Sequence, residues 1–230
     1  GGVRALSALS DGRLVSGAGR GTRIWDTTTG ALHGSVELHS DIVRSLCLLP
    51  DGCIASGLDD GTIRIWDMRA GTETGRLEGH TGEVRALAVL NDRRLASGSF
   101  DGTIRIWATQ TGKENARFDG HSEWVGALCQ LPDGRLASGA TDGLIHLWDI
   151  TSGAATAKNS GHTDIVRALC MLPDDRVASG SDDGTIRIWD VNTGVETIGL
   201  DWQLERQSHS GGRARGAGMV RALCALSDGH

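Results

Sequence analysis

Gly161–Asp190 reads GHTDIVRALCMLPDDRVASGSDDGTIRIWD, and its reading decides the fold. A Gly-His pair opens it, a Trp-Asp pair closes it, and three strand-like runs lie between turns rich in aspartate and glycine. Tryptophans recur at Trp25, Trp66, Trp107, Trp148 and Trp189, each 41 residues after the last. The histidines His39, His80, His121 and His162 keep the same 41-residue step. A unit of this size buries its apolar faces only against its neighbours, so the repeats are expected to form one stacked array.

Working outward, the first repeat runs Val3 to Leu9, turns at Ser10-Asp11-Gly12, and continues as RLVSGAG. A Gly-Arg-Gly turn at 19–21, a third run to Trp25-Asp26, a turn at Thr29-Gly30 and a polar fourth run to about Leu38 complete it. Three well-patterned strands and a weaker fourth, joined by short turns, predict an antiparallel meander. The polar fourth strand suits an outer edge, and the Val/Leu/Ala/Cys-rich first strand suits a crowded interior. With its Gly-His and Trp-Asp pairs at fixed spacing, the sequence resembles the WD-repeat β-propeller family over nearly all its length. The resemblance implies an all-β propeller of four-stranded antiparallel blades, with five complete repeats plus the first strand of a sixth. The blades are expected at about 1–38, 39–79, 80–120, 121–161 and 162–201, as an excerpt of a larger array.

Two repeats break step. In the first, Gly-Thr-Ile-Arg-Ile-Trp is shortened to Gly-Thr-Arg-Ile-Trp, so a bulge or local slip is expected between Thr22 and Trp25. Arg20 also stands where the other repeats carry the turn aspartate. After the fifth repeat, Trp202-Gln203 replaces the next Gly-His pair, and a Gly/Ser/Arg-rich stretch at 202–218 reads as a flexible loop. VRALCALSDG at 220–229 then repeats VRALSALSDG at 3–12, which predicts 219–230 as the first strand of a truncated sixth repeat. The third-strand arginines Arg64, Arg105 and Arg187 are expected to lay their stems on apolar surface and keep their heads in water.

The net charge of −6 gives no electrostatic reason to expect nucleic acid or an anionic membrane as partner. No apolar run reaches the ~18 residues needed to span a bilayer. Cys47, Cys129, Cys170 and Cys224 share one register, a sheet spacing apart, so they read as small buried hydrophobes and not as disulfides. That cysteine usage points to a reducing, cytoplasmic setting. Gly17-Ala18-Gly19-Arg20-Gly21 precedes a strand and lacks dinucleotide spacing, and the Asp-Gly turns lack calcium-loop spacing. One histidine per repeat cannot converge on a zinc ion, and no cofactor is expected. His33, His146 and His209 fall outside the register and read as scattered surface or strand residues.

Each repeat carries a Ser/His/Asp set beside its tryptophan: His39, Ser56, Asp60, Trp66; His80, Ser97, Asp101, Trp107; His121, Ser138, Asp142, Trp148; and His162, Ser179, Asp183, Trp189. A hydrolase needs one such site with an oxyanion hole and a cleft, not four in register. The resemblance implies instead a structural tetrad. In it the histidine bridges aspartate and serine, and the serine meets the indole N–H.

Residues that vary where the scaffold does not require it lie at the first-strand starts: DIVR at 41–44, EVR at 83–85, EWVG at 123–126, DIVR at 164–167 and MVR at 219–221. In related propellers these corners lie on a partner-docking face. The resemblance thus places Arg4, Arg44, Arg85, Arg167 and Arg221 about a central mouth, with Gly126 as a gap and Trp124 beside it. These are residue types that dominate binding hot spots. The alternative is a solvated rim in which the arginines pair with Asp41, Glu83 and Asp164. The expected function is a non-catalytic scaffold for protein or peptide partners around the central channel, as sensor or regulatory part of a larger signalling protein. A glycan- or phosphopeptide-binding propeller is the alternative, and a Ser/His/Asp hydrolase the outsider.

Overall fold

The structure, a computed structural model, describes residues 2–19, 21–36, 41–201 and 218–224. Alternation of apolar and polar side chains between Asp-Gly turns produces twenty strands, grouped in five sheets of four. The first sheet contains β1 (Val3–Ala8), β2 (Leu14–Ala18), β3 (Gly21–Trp25) and β4 (Leu32–Val36). The second contains β5 (Val43–Leu48), β6 (Ile54–Leu58), β7 (Ile63–Asp67) and β8 (Thr72–Leu77). The third contains β9 (Val84–Val89), β10 (Leu95–Ser99), β11 (Thr103–Ala108) and β12 (Lys113–Asp119). The fourth contains β13 (Val125–Gln130), β14 (Leu136–Ala140), β15 (Leu144–Trp148) and β16 (Ala155–Ser160). The fifth contains β17 (Val166–Met171), β18 (Arg176–Ser181), β19 (Thr185–Asp190) and β20 (Glu196–Asp201). Each is an up-and-down antiparallel meander paired in sequence order, and no helix occurs among the described residues. No helix long and apolar enough to cross a membrane is therefore present among them.

The turns follow from local side-chain chemistry. The aspartate of each Trp-Asp pair folds back on its own turn, as Asp67 Oδ1 does in accepting the N–H groups of Arg69 and Ala70 at 2.8 and 3.1 Å. Those bonds hold the Asp67 carboxyl below the usual carboxylate range. Asp149 and Asp190 repeat the arrangement.

The chain divides into two compact units, residues 1–119 and 120–230. Within the first, Val15 and Ile24 pack against Ile54, Trp66 and Met68, joining the first and second sheets. Ile63, Ile65 and Leu77 pack with Val84, Leu95 and Trp107, joining the second and third. Within the second unit, Ile145 and Leu147 face Val166, Val177 and Trp189 of the fifth sheet. Glycine sets how closely sheets approach. A Cβ on Gly17 would lie 2.6 Å from Val43 Cγ1, and one on Gly57 would lie 2.7 Å from both Val84 Cγ1 and Val84 O. Second strands therefore keep a bare backbone where the next first-strand valine seats.

Two expectations are corrected here. The residue missing from the first repeat leaves no bulge between β2 and β3, and the shift at Ile24/Trp25 against β4 recurs beside the tryptophan of every other sheet. The β2–β3 register is continuous, Leu14↔Trp25, Val15↔Ile24, Ser16↔Arg23, Gly17↔Thr22 and Ala18↔Gly21. The paired residues 14–18 and 21–25 carry no irregularity, and buried Thr22 occupies the place of Ile63. A strand slip would have turned Ile24 and Trp25 to the wrong faces, so keeping the register is the less disruptive solution. Among the cysteines, Cys47, Cys53, Cys129 and Cys170 are half-buried thiols, whereas Cys224 is exposed. Burial pushes the Cys47 and Cys129 thiols up to about 11. Of the expected sixth first strand at 219–230, residues 225–230 lie outside the described residues, and Val220 N–H donates to Ser181 O at 3.0 Å. Arg20, His39, His209 and the stretch 202–217 lie outside the described residues.

Candidate functional site

Three of the four Ser/His/Asp/Trp sets are fully described, and the structure closes each into one hydrogen-bonded chain. In the third sheet Trp107 Nε1–H donates to Ser97 Oγ at 2.7 Å. Ser97 Oγ lies 2.7 Å from His80 Nε2, and His80 Nδ1 lies 2.9 Å from Asp101 Oδ2. Since Ser97 Oγ accepts from the indole, its own hydrogen goes to Nε2, leaving Nδ1–H to donate to the carboxylate. The carbonyl of Arg105, 3.4 Å from Ser97 Oγ, is the more distant acceptor. His121, Ser138, Asp142 and Trp148 repeat the chain at 2.7, 3.2 and 2.7 Å, and His162, Ser179, Asp183 and Trp189 at 2.7, 2.9 and 2.7 Å. In the second sheet Trp66 reaches Ser56 at 3.2 Å, and Asp60 accepts from Thr62. The fourth member there, His39, is outside the described residues.

Threonine is a member that sequence reasoning missed. Thr103 Oγ1 donates to Asp101 Oδ1 at 2.7 Å and lies 3.2 Å from His80 Nδ1, with Thr185 in the same role beside Asp183 and His162. The repeated Asp-Gly-Thr was the available signal. Burial alone would raise the Asp183 carboxyl, but bonds from Thr185, the Thr163 N–H and His162 outweigh it and hold the group well below the usual range. His162 is shifted the opposite way to a salt-bridged histidine. Burial lowers it below its ordinary value of 6.5, against the opposing pull of Asp183.

A depressed histidine makes the folded state bind fewer protons than the unfolded chain. Stability is then fully present above the ordinary value of 6.5 and declines as pH falls from there toward the lower folded value. Urea midpoints measured from pH 8 to pH 5 are expected to fall below about pH 6.5, and His162→Gln is expected to flatten that decline. His80→Ala removes Ser97's acceptor and Asp101's donor, and an expected loss of about 1–3 kcal/mol in urea unfolding measures the linkage.

The third-strand arginines correct the expectation of heads in water. Arg64 and Arg105 are buried, and Arg64 Nη1 meets Glu73 at 3.4 Å, Arg105 Nη1 meets Glu114 at 2.5 Å and Arg187 Nη1 meets Glu196 at 2.5 Å. These glutamates, opposite the tryptophans on the fourth strands, were not singled out from sequence. In the fourth sheet both partners change together, to His146 and Ala155. His146 is thus a strand residue, as one of the two expectations has it, and not a surface one. It is fully buried and stacks on His121 at 4.0 Å between ring centroids.

A second constellation lies at the first-strand starts. At each corner a backbone bond ties the second-to-third-strand turn to the residue before the first strand: Asp59 N–H to Ile42 O, Phe100 N–H to Glu83 O, Thr141 N–H to Trp124 O and Asp182 N–H to Ile165 O, all at 2.8–3.1 Å. The side chains on this constant frame differ from sheet to sheet. Arg44 makes a bidentate pair with Asp59 and reaches Glu83 at 3.4 Å. Arg85 pairs with Glu83 and lies 5.6 Å from the centroid of the exposed Phe100 ring. Arg167 holds Asp182 with two bonds of 2.9 and 2.6 Å. Of the acids expected on the rim, Glu83 does pair with Arg85, whereas Asp59 and Asp182 take the places expected for Asp41 and Asp164. Fifteen residues separate each of these pairs across the first hairpin, a signal that was legible. Gly126 faces no such pair, Trp124 is half-buried, and Arg4 and Arg221 are exposed. Arg221 Nη2 lies 3.1 Å from Met219 Sδ.

Repeated four-stranded sheets, locked by His/Ser/Asp/Trp chains, define the WD-type β-propeller class. The family described as "WD domain, G-beta repeat" matches at residues 30–67, 71–108, 112–149 and 154–190, and the chain belongs to this WD40 family. A chain of the solved structure described as "Crystal Structure of Mitotic Checkpoint Complex" superposes with a TM-score of 0.79 at 26% identity, over 86% of this chain and 63% of that one. The present chain thus spans less than two thirds of that neighbour. No curated protein matches it. WD40 propellers are in general non-catalytic interaction scaffolds.

Proposed function

We propose that this chain is a non-catalytic docking platform that binds protein or peptide partners on the face formed by the first-strand starts and the second-to-third-strand turns. The carrying observation is the corner geometry. One invariant backbone bond fixes each corner, while the side chains upon it change from Arg/Asp to Arg/Phe to Gly/Thr. A rigid frame with variable side chains presents contact groups at little ordering cost. In the first unit Phe100 supplies the aromatic contact and Arg4, Arg44 and Arg85 its polar surround; in the second, Trp124 does so with Arg167 and Arg221. The neighbour's membership of a multi-protein complex supports protein partners, and a cytoplasmic sensor or regulatory role within a larger signalling protein fits such a platform.

The hydrolase reading loses support because Ser56, Ser97, Ser138 and Ser179 are fully buried, with the described chains committing Oγ to indole and imidazole. Phosphate capture is weakened as well, since Arg44 and Arg167 already hold carboxylates. Reversing the charge of Arg44 would leave Asp59 facing a new glutamate, so that variant perturbs folding as well as binding. A photo-crosslinking amino acid placed at position 100 or 124 tests the proposal. Partner adducts are expected there and not at positions 70 or 193 on the opposite turns. Equal labelling at both sets would refute the assigned face.

A further inference from the structure

The seam between the first and second sheets stays open at the end of the strands away from the corners. A cleft of about 170 Å³ lies there, between the β1–β2 turn of one sheet and the β5–β6 and β7–β8 turns of the other, all within the first unit. Leu9, Leu48 and Met68 give it apolar walls, and Asp51, Asp67 and Arg69 give it charge. It is smaller than the roughly 300 Å³ at which drug-sized pockets begin, so it suits an occupant of a few heavy atoms.

The seam between the fourth and fifth sheets, inside the second unit, shows what closes such a gap. There Arg135 Nη2 donates to Val191 O at 2.8 Å while also holding Asp133. Arg13 and Met68 are the corresponding residues of the first and second sheets, two places after the turn aspartate and two after the tryptophan. Arg13 is committed to its own turn, with Nε and Nη2 on Asp11 Oδ2 at 2.9 and 2.7 Å, and makes no bond to Met68 O. The carbonyl that takes a cationic N–H in one seam thus goes without it in the other, and the cleft lies beside it.

The charges around the cleft call for the same kind of group. Asp51 Oδ1 accepts the Cys53 N–H at 3.0 Å, and Asp67 Oδ1 accepts those of Arg69 and Ala70, which leaves the second oxygen of each carboxylate for a ligand. With Arg13 neutralised by Asp11, these two carboxylates stand against the single guanidinium of Arg69. Their fields meet in the cleft lining: burial raises the Cys53 thiol, and the negative charges of Asp51 and Asp67 raise it further.

We infer that this cleft binds a small aliphatic ammonium ion. Its N–H groups donate to Met68 O and to the free oxygens of Asp51 and Asp67, and its carbon stem lies on Leu9, Leu48 and Met68. The bound cation supplies at this seam what Arg135 supplies at the other. The apolar walls select an amine with a short carbon chain over a bare ammonium ion. Binding here is independent of whatever docks at Arg44 and Asp59, at the opposite end of the same strands.

Methyl-labelled methionine reads the site in the whole chain, because there are only three methionines and Met68 lines the cleft. Titration with n-butylammonium is expected to shift the Met68 methyl resonance saturably and to leave those of Met171 and Met219 in place. 1-Butanol keeps the carbon chain without the charge and is expected to bind at least tenfold more weakly. The double variant Asp51→Asn, Asp67→Asn is expected to weaken the amine at least tenfold, while each asparagine keeps an oxygen for the turn N–H groups. Asp51→Asn alone, at an exposed residue, is expected to weaken it several-fold with an unchanged melting temperature. A Met68 methyl that does not respond, or three methyls that shift together, overturns the inference. So does a response to 1-butanol as strong as to the amine, or amine binding that both variants leave unchanged.

Discussion

Trp107→Ala is expected to lower the unfolding free energy by about 3–5 kcal/mol, the largest loss among these variants. Two effects combine. The indole is almost fully buried in the cluster that joins the second and third sheets, with Leu95, Ile65 and Leu77, so truncation opens a cavity between sheets. It also removes the N–H that Ser97 Oγ accepts at 2.7 Å, in a chain that continues through His80 to Asp101. Trp107→Phe separates the two effects, since it keeps most of the ring and deletes the donor. It is expected to lose about 1–3 kcal/mol. Chemical denaturation followed by tryptophan fluorescence of the remaining indoles measures both. A Phe variant as damaged as the Ala variant would mean that packing contributes little beyond the hydrogen bond.

Gly57→Val is expected to be the next most damaging change, by about 1–3 kcal/mol or more. Its first added carbon would sit 2.7 Å from Val84 Cγ1 and 2.7 Å from Val84 O, and it would also strike Ser45 Oγ. Ser45 Oγ currently donates to that same Val84 carbonyl at 2.9 Å, so the intrusion also disturbs a buried hydrogen bond. Val84→Ala in the same chain is expected to recover only part of the loss, because the carbonyl contact is backbone and cannot be trimmed. Gly34→Ala provides the contrast: its nearest neighbour would be Ile24 Cδ1 at 3.9 Å, an ordinary contact, and its melting temperature is expected to change little. If Gly57→Val and Gly34→Ala melt alike, close approach of bare backbone is not what holds the second and third sheets together.

The meander and its repeat were legible because period-2 alternation and Asp-Gly turns are local properties, readable at every 41-residue step. The His/Ser/Asp/Trp sets were legible for the same reason: repetition exposes residues that keep their place. What escaped were partnerships across strands. Arg64 with Glu73 and Arg105 with Glu114 depend on the bulge beside each tryptophan, which brings the fourth-strand glutamate opposite it. The spacing of nine residues was visible, but the burial that makes it an ion pair was not. Arg44 with Asp59 and Arg85 with Phe100 escaped in a similar way, since nearer acids in sequence drew attention first. The missing residue of the first repeat was read in the strand because the motif is broken there. The structure keeps residues 21–25 in continuous register with β2, so no side chain of that strand has to change face.

The recurring bond at these corners, from Asp59, Phe100, Thr141 and Asp182 N–H to the carbonyl just before the first strand of the same sheet, uses no side-chain atom. Positions 59, 100, 141 and 182, and with them 44, 85, 126 and 167, therefore behave as sockets: what is plugged in can be exchanged while the wiring beneath stays in place. The proposed docking surface can therefore be redesigned two positions at a time across a hairpin without reopening the question of whether the sheet folds.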